Sequence, residues 1–236
     1  MSLKNSLKNA VIKFLPNSVK NEIRKNEWGA RLSYSQEAED LILDRYFENK
    51  LNGFFVDIGA HHPIRFSNTY HFYLKGWRGI NVDATPGSIG AFMKTRPDDI
   101  NIEIGVSSQP GEMNYYVFEE PALNTFSEER VKYLLDNTQY KLQKKVVVKT
   151  QTLANILDNY LPKNKQIDFL TIDVEGVDFE ILQTNNWDKY KPQYILVEDL
   201  DGDIEKALKS KLYDYLKLLN YSIVSRSHNT LFFKLN

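Results

Sequence analysis

The feature that most constrains this fold is a series of short, continuously apolar segments separated by helix-like segments. Strands that are buried on both faces of a parallel sheet have this composition, whereas strands with one solvent face alternate apolar and polar residues. The predicted buried strands are residues 53–58, 78–83, 100–105, 167–172 and 193–197. This β-α-β-α order predicts a doubly wound, Rossmann-like α/β fold with a mostly parallel sheet.

Helices and a terminal hairpin complete the predicted topology. The expected helices cover residues 38–46, 67–74 and 204–219, and two more begin at Pro86 and Val177, with Pro86 in the first helical turn. Residues 221–225 and 230–235 face each other across a short polar turn, which is typical of a hairpin. We therefore expect the sheet to end in an antiparallel edge.

The N-terminal segment, residues 1–34, differs from the rest in composition. It carries seven basic and two acidic side chains, and its apolar residues recur at helical spacing before Pro16. We expect a basic helical arm that packs on the main domain. Peripheral contact of residues 1–30 with a membrane surface is the alternative.

Residues 35–236 are predicted to form the second domain. More alternating strands at 113–118 and 145–150 indicate peripheral structure. Between them lies an insertion, near residues 119–144, in which a helix is expected over 127–136.

Composition excludes several classes of function. The chain has no cysteine, so disulfide scaffolds, cysteine-ligated metals and thiol nucleophiles are ruled out. Thirty basic residues offset 31 acidic ones, a balance that does not indicate a nucleic-acid partner. No apolar run approaches the roughly 18 residues that a membrane span needs. We expect a cytoplasmic protein that acts on a small molecule.

Ligands of doubly wound folds bind at the carboxyl ends of the strands, and here these ends carry acids and glycine. Gly59, two residues after Asp57, allows a sharp turn and close approach of a ligand to the backbone. Asp83 ends the second strand, where such folds hold the hydroxyls of a ribose. Together they favour a bound nucleoside over turn or cap roles alone. The G-x-G-x-x-G pattern of dinucleotide-binding loops is missing.

Further acids follow the next two main strands. Asp173 and Glu175 follow one of them, and Glu198 and Asp199 follow the other. Adjacent parallel strands lie about 4.8 Å apart, so Asp173, Glu198 and Asp199 can converge and offer oxygen ligands to Mg²⁺. We favour the metal-free interpretation, in which these carboxylates bind polar groups of a ligand directly.

Several motifs recur in a characteristic order along the chain. They are Ser35–Asp40, Val56–Ala60, Ser67–Thr69, Gly76–Gly79 with Asp83, Ala122–Thr125 and Leu170–Gly176. In this order they resemble the FkbM family of S-adenosylmethionine-dependent methyltransferases, over about residues 33–235. The resemblance implies a class I methyltransferase sheet of seven strands with an antiparallel C-terminal hairpin.

The resemblance also implies roles for individual residues. The implied cofactor contacts are Gln36, Asp57, Gly59, Asn68, Asp83, Ser107 and Asp173. Asp57 and Gly59 would line the methionine end, Asp83 would bind the ribose, and Ser107 would lie near the adenine. Asp173 and Glu175 would stand beside the transferable methyl group. Candidate acceptor contacts are Tyr116, Asn124 and Thr125, which flank the insertion, together with Glu198.

Methyl transfer to a sugar hydroxyl needs a base, because an alcohol is a poor nucleophile. The candidate catalytic residues are Asp173, His61, His62 and Glu175. The ordinary histidine pKa, about 6.5, suits a base near neutral pH. The alternative for either histidine is a hydrogen bond to the backbone of its own turn.

These observations predict an S-adenosylmethionine-dependent O-methyltransferase. Its acceptor is expected to be a sugar hydroxyl, on a nucleotide-linked sugar or a surface polysaccharide. Two alternatives remain open. The triplet Asp201-Gly202-Asp203 could hold a metal and a diphosphate in a nucleotide-sugar glycosyltransferase, although a capped turn also explains it. The other alternative is a non-catalytic nucleoside-binding or docking module.

Overall fold

The computed structural model describes residues 31–48, 50–200 and 202–236. The chain divides into two compact units, residues 1–33 and 34–236, and the fold below is that of the second unit. Residues 1–30 of the predicted basic arm lie outside the described residues. Among the helices that are described, none combines the length and the apolar character needed to cross a bilayer.

A seven-stranded sheet forms the centre of the unit, in the order β3-β2-β1-β7-β8-β10-β9. Its strands are β1 (Phe54–Ile58), β2 (Arg78–Asp83), β3 (Ile100–Glu103), β7 (Phe169–Ile172), β8 (Tyr194–Glu198), β9 (Tyr221–Arg226) and β10 (Thr230–Leu235). The first five run parallel, and β10 is antiparallel to both of its neighbours. This confirms the predicted doubly wound, mostly parallel sheet with an antiparallel C-terminal hairpin.

Helices connect the strands and cover both faces of the sheet. In the described part of the chain they are α1 (Glu39–Phe47), α2 (Tyr70–Leu74), α3 (Ile89–Thr95), α4 (Glu128–Asn137), α5 (Leu153–Tyr160), α6 (Asp178–Gln183), α7 (Ile204–Ala207) and α8 (Lys211–Leu218). Every residue of β1 is buried, with Val56 and Ile58 in one apolar cluster and Phe55 in the other. Burial on both faces explains the continuously apolar composition of this strand.

A second, three-stranded sheet carries the insertion. It contains β4 (Gly105–Val106), β5 (Gly111–Phe118) and β6 (Leu142–Gln151), in the order β4-β6-β5. Between β5 and β6 lie a 3₁₀ turn (Pro121–Leu123) and α4, whose N-terminus is capped by Ser127. The predicted third strand is present as β3, but it ends at Glu103, so its predicted extent to residue 105 was wrong. The chain leaves the main sheet after β3 and packs Gly105 against Phe126, where a Cβ atom would lie 2.5 Å from the ring.

Three predicted helices also differ from the structure. Helix α2 begins at Tyr70 rather than at residue 67, and the Ser67 hydroxyl accepts the amide of Tyr70 at 3.1 Å. Helix α3 begins at Ile89, three residues after Pro86, because the intervening residues form a turn in which Gly87 has a φ of 88°. The predicted helix over 204–219 is divided into α7 and α8. Ser210 causes the division, because its hydroxyl accepts a hydrogen bond from the amide of Tyr213 and caps α8.

Candidate active site

Two clefts open at the carboxyl ends of the parallel strands. The first cleft contains about 690 Å³ of space and the second about 580 Å³, in both cases including space that is open to solvent. The residues that line both clefts are Gln36, Phe66, Asp173 and Glu175. The clefts therefore meet at a junction that contains two carboxyl groups, and we call it the junction below.

The turn after β1 lines the first cleft and lies against the end of β7. Gly59 has a φ of 81°, and its N–H donates to the carbonyl of Val82 at 2.9 Å. A Cβ atom on Gly59 would lie 1.8 Å from the carbonyl oxygen of Asp173. Only glycine fits here, both because of its left-handed backbone and because the two backbones touch.

Asp83 lies in the wall of the first cleft and holds two turns of the backbone. Its carboxylate accepts the amide of His61 at 2.9 Å and the amide of Thr85 at 2.8 Å. These bonds fix the carboxylate, while each oxygen keeps acceptor capacity for a ligand. Much of the remaining lining is apolar: Ile58, Val82, Ala84, Ile104, Val106, Pro121, Ala122 and Phe126.

Asp57 and Ser107, two predicted cofactor contacts, line neither cleft. Asp57 is buried, accepts the Thr69 hydroxyl at 2.7 Å, and has a pKa that burial raises to about 6. The Ser107 hydroxyl donates to the carbonyl of Gln109 at 2.6 Å. Both side chains are therefore engaged inside the protein, which the resemblance alone did not indicate.

A buried ion pair supports the turn that carries Asn68. Arg96 is completely buried and pairs with Asp99 at 2.8 Å, and its Nη1 donates to the Thr69 hydroxyl at 3.0 Å. Asn68 stands beside Thr69 in the second cleft, and its Nδ2 donates to the Thr171 hydroxyl at 3.0 Å. This network holds in place the turn that carries Asn68.

The two histidines that were predicted as catalytic, His61 and His62, have different surroundings. His61 lines the first cleft, and burial lowers its pKa, which favours the neutral imidazole. His62 lines neither cleft, and its Nδ1 accepts the amides of Ile64 and Arg65 at 3.1 and 2.9 Å. His62 therefore shapes its own turn, which was the alternative allowed for either histidine.

Three carboxyl groups converge at the junction. Asp173, Glu175 and Glu198 each offer an oxygen within 4.8 Å of the others. Burial and then the neighbouring Glu175 raise the pKa of Asp173 well above its ordinary value. Burial, followed by the charge of Asp173, raises the pKa of Glu198 to about 11. Carboxyl groups this close oppose one another's ionisation unless a cation offsets their charge.

The ligand set for a metal differs from the predicted one. Asp199 pairs with Arg226 at 2.6 Å and stands outside the cluster. Glu175 replaces Asp199 in the set of possible metal ligands. Arg130, however, already donates to Glu175 Oε2, through Nε at 3.0 Å and Nη2 at 2.7 Å. Sequence reasoning missed Arg130 because it lies 45 residues before Glu175 and no motif marks it.

The predicted acceptor contacts are divided between the clefts and the interior. Asn124 lines the first cleft, where its Nδ2 donates to the Thr85 hydroxyl at 3.1 Å, and Glu198 lines the second. Tyr116 lines neither cleft, and its hydroxyl donates to Glu128 at 2.6 Å. Thr125 is completely buried, and its hydroxyl donates to the carbonyl of Glu175 at 2.8 Å.

The D-x-D triplet is described only in part, because Asp201 lies outside the described residues. Asp203 caps α7 by accepting the amides of Glu205 and Lys206, at 2.8 and 3.3 Å. A capped turn accounts for this carboxylate.

The contact between Gly59 and Asp173 predicts the effect of adding one methyl group. We expect Gly59→Ala to lower the free energy of unfolding by about 3 kcal/mol or more, because backbone strain and a backbone clash coincide. Gly90→Ala is the matched control, since no atom lies within 4 Å of its added Cβ. Gly90→Ala should change stability by about 1 kcal/mol at most, in the favourable direction. Urea unfolding of both variants measures this, and equal stabilities would contradict the contact.

Comparison with known proteins finds a family whose sequence pattern matches most of this chain. The sequence matches the family described as "Methyltransferase FkbM domain" over residues 57–223, well over half of the chain. No curated protein matches it. Among solved structures, an O-methyltransferase from Bacillus cereus in complex with SAH is similar over 97% of this chain and 96% of its own, with 9% identity and a TM-score of 0.40. The family match runs from the end of β1 into β9, and by it this chain belongs to the FkbM-domain methyltransferases.

Proposed function

We propose that this methyltransferase transfers a methyl group from S-adenosylmethionine to a sugar hydroxyl. The cofactor would occupy the first cleft and the acceptor the second. The observation that carries the proposal is the junction, where Asp173 and Glu175 line both clefts at once. A group-transfer enzyme needs such a place, because donor and acceptor must meet in line with a base beside them.

The first cleft suits S-adenosylmethionine in its chemistry. The Asp83 carboxylate is fixed by two amides and can accept the ribose hydroxyls. Ile104, Val106 and Phe126 give an apolar wall for the adenine. Gly59 also lines this cleft, and its backbone can contact the methionine portion of the cofactor. When bound, S-adenosylmethionine supplies an electrophilic methyl group on a positively charged sulfur, which the junction carboxylates would face.

Asp173 is the best-placed base among the predicted catalytic residues. It lies at the junction, and its raised pKa makes it a stronger base than an ordinary carboxylate. In this proposal Asp173 takes the proton of the acceptor hydroxyl as the new bond forms. His61 lines only the first cleft, and Glu175 is held by Arg130. Gln36 and Phe66 also line the junction, beside the two carboxyl groups.

The charge of the second cleft favours a sugar without a phosphate beside the reacting ring. Five acidic residues line this cleft: Glu37, Glu39, Asp173, Glu175 and Glu198. The cation in the lining, Arg130, already donates to Glu175. Carboxyl oxygens accept hydrogen bonds from sugar hydroxyls but repel phosphate. We therefore favour a surface-polysaccharide or other uncharged sugar over a nucleotide-linked one.

We retain the metal-free interpretation of the junction. Arg130 supplies positive charge to Glu175 and already donates to its Oε2 through two nitrogens. Mg²⁺ prefers anionic oxygen ligands in near-octahedral geometry, and this set offers few that are uncommitted.

The ribose-binding role of Asp83 gives the first functional prediction. We expect Asp83→Ala to weaken S-adenosylmethionine binding at least about ten-fold, because a charged acceptor for two hydroxyls is lost. Stability should also fall by about 1–3 kcal/mol, since the amides of His61 and Thr85 lose their acceptor. Calorimetric titration with S-adenosylmethionine measures the affinity.

Glu103→Ala is the matched control for Asp83→Ala. Glu103 is the neighbour of Asp83 in the β2–β3 register and accepts the amide of Gly87 at 2.8 Å, but it lines neither cleft. The Glu103→Ala variant should bind S-adenosylmethionine with the affinity of the wild type. A folded Asp83→Ala variant with unchanged affinity would remove Asp83 from the cofactor site.

The base role of Asp173 gives the second prediction. Transfer of labelled methyl groups is measured with a panel of neutral oligosaccharides and nucleotide-linked sugars, and we expect product with the neutral acceptors. Asp173→Asn should lower turnover by at least about 100-fold, the usual contribution of a positioned base, while binding S-adenosylhomocysteine. Wild-type turnover should fall as the pH drops through the raised pKa of Asp173, because the base must be ionised.

EDTA provides the test of the metal-free interpretation. We expect turnover to be unchanged by EDTA. Activity that EDTA abolishes and Mg²⁺ restores would make Asp173 a metal ligand, and turnover retained by Asp173→Asn would refute its role as base.

A further inference from the structure

The chain is strained immediately after Asp173. Glu175 has a φ of 56° and Gly176 a φ of 103°, so two successive residues adopt left-handed conformations before α6 begins. Glycine adopts this conformation readily, but a side chain such as that of Glu175 rarely does. A strained residue of this kind persists only where its surroundings hold it in place, and such residues cluster at functional sites.

The insertion supplies the contacts that hold Glu175. The Thr125 hydroxyl donates to the main-chain carbonyl of Glu175 at 2.8 Å, and Arg130 donates twice to its carboxylate, at 3.0 and 2.7 Å. Both the backbone and the side chain of Glu175 are therefore bound from the same segment. Asp178 holds the opposite side of the loop, since its carboxylate accepts the amides of Val174 and Gly176 at 3.1 and 3.2 Å.

The two donors are themselves fixed. The backbone of Thr125 pairs with that of Tyr116, and its hydroxyl accepts the amide of Ser127 at 2.9 Å. Ser127 then caps α4 by accepting the amide of Arg130 at 3.1 Å. A single turn of the insertion thus presents both donors to the loop after β7, on a folded support.

We infer that Thr125 and Arg130 are positioning residues that hold the Asp173–Glu175 loop at the junction. The inference rests on the proposed function, in which this loop faces the reacting atoms. Thr125 cannot bind an acceptor directly, because it is completely buried and lines neither cleft. The donors of Arg130 that reach the loop are engaged by Glu175. The insertion then has a role in assembling the junction, beyond any role in selecting the acceptor.

The test compares the binding of two ligands that differ in one charge. S-adenosylmethionine has a positively charged sulfur, whereas S-adenosylhomocysteine has a neutral one, so the ratio of their affinities reports the negative charge held beside the sulfur. We expect Thr125→Val, which keeps the shape but removes the donor, to reduce the affinity for S-adenosylmethionine relative to that for S-adenosylhomocysteine about ten-fold. Thr125→Ser should restore it, and Arg130→Lys, which keeps the positive charge but loses the paired donors to Glu175 Oε2, should lower it in the same direction.

Thr138→Val is the matched control. The Thr138 hydroxyl also donates to a carbonyl of the insertion, that of Leu134 at 2.7 Å, but it makes no bond to the junction. Both affinities are measured by calorimetry, with melting temperatures for all variants. The Thr138 variant should keep the wild-type preference even where its stability falls.

The outcomes separate the inference from the proposed function. Folded Thr125→Val with the wild-type ratio of affinities, or with equal losses for both ligands, would overturn the positioning role. The same change of ratio in Thr138→Val would also overturn it, because the effect would then be a general one of the insertion. Wild-type protein that binds neither ligand would instead refute the proposed function itself.

Discussion

Strands β1 and β7 are neighbours in the sheet, and the turn after β1 can lie against the end of β7 because Gly59 has no side chain there. This contact places the carbonyl of Asp173 against the turn that leads to His61, whose amide is held by Asp83. Three adjacent strand ends, those of β2, β1 and β7, therefore contribute to the first cleft and the junction. Their spacing follows from the sheet itself, which is rigid and buried on both faces.

Charge at the junction is balanced by the insertion and by protons. Asp173, Glu175 and Glu198 would repel one another if all were ionised, because each has an oxygen within 4.8 Å of the others. Arg130 offsets Glu175, and burial keeps the Glu198 carboxyl protonated. Asp173 is left as a carboxylate of raised pKa that opens on both clefts. These conditions suit proton abstraction from a hydroxyl, and they oppose an anionic acceptor.

Sequence reasoning predicted the elements that depend on local composition. The apolar strands, the acids at their ends and the Gly59 turn could be recognised because each is a short pattern with a direct physical cause. The departure of β4 into a second sheet could not, since it depends on how Gly105 packs against Phe126. Arg130 and the burial of Thr125 were also beyond reach, because their contacts with Glu175 join residues 45 and 50 positions apart. The interior position of the Asp57 side chain could not be predicted either, because its partner Thr69 belongs to a buried network centred on Arg96.

The central claim is that the two clefts meet at Asp173, with the cofactor in the first. A crystal structure with S-adenosylhomocysteine bound tests it most directly. The account predicts ribose hydroxyls on the Asp83 carboxylate and the cofactor sulfur at the junction, beside Asp173 and facing the second cleft. A ligand bound in the second cleft, or one whose sulfur lies away from Asp173, would contradict it.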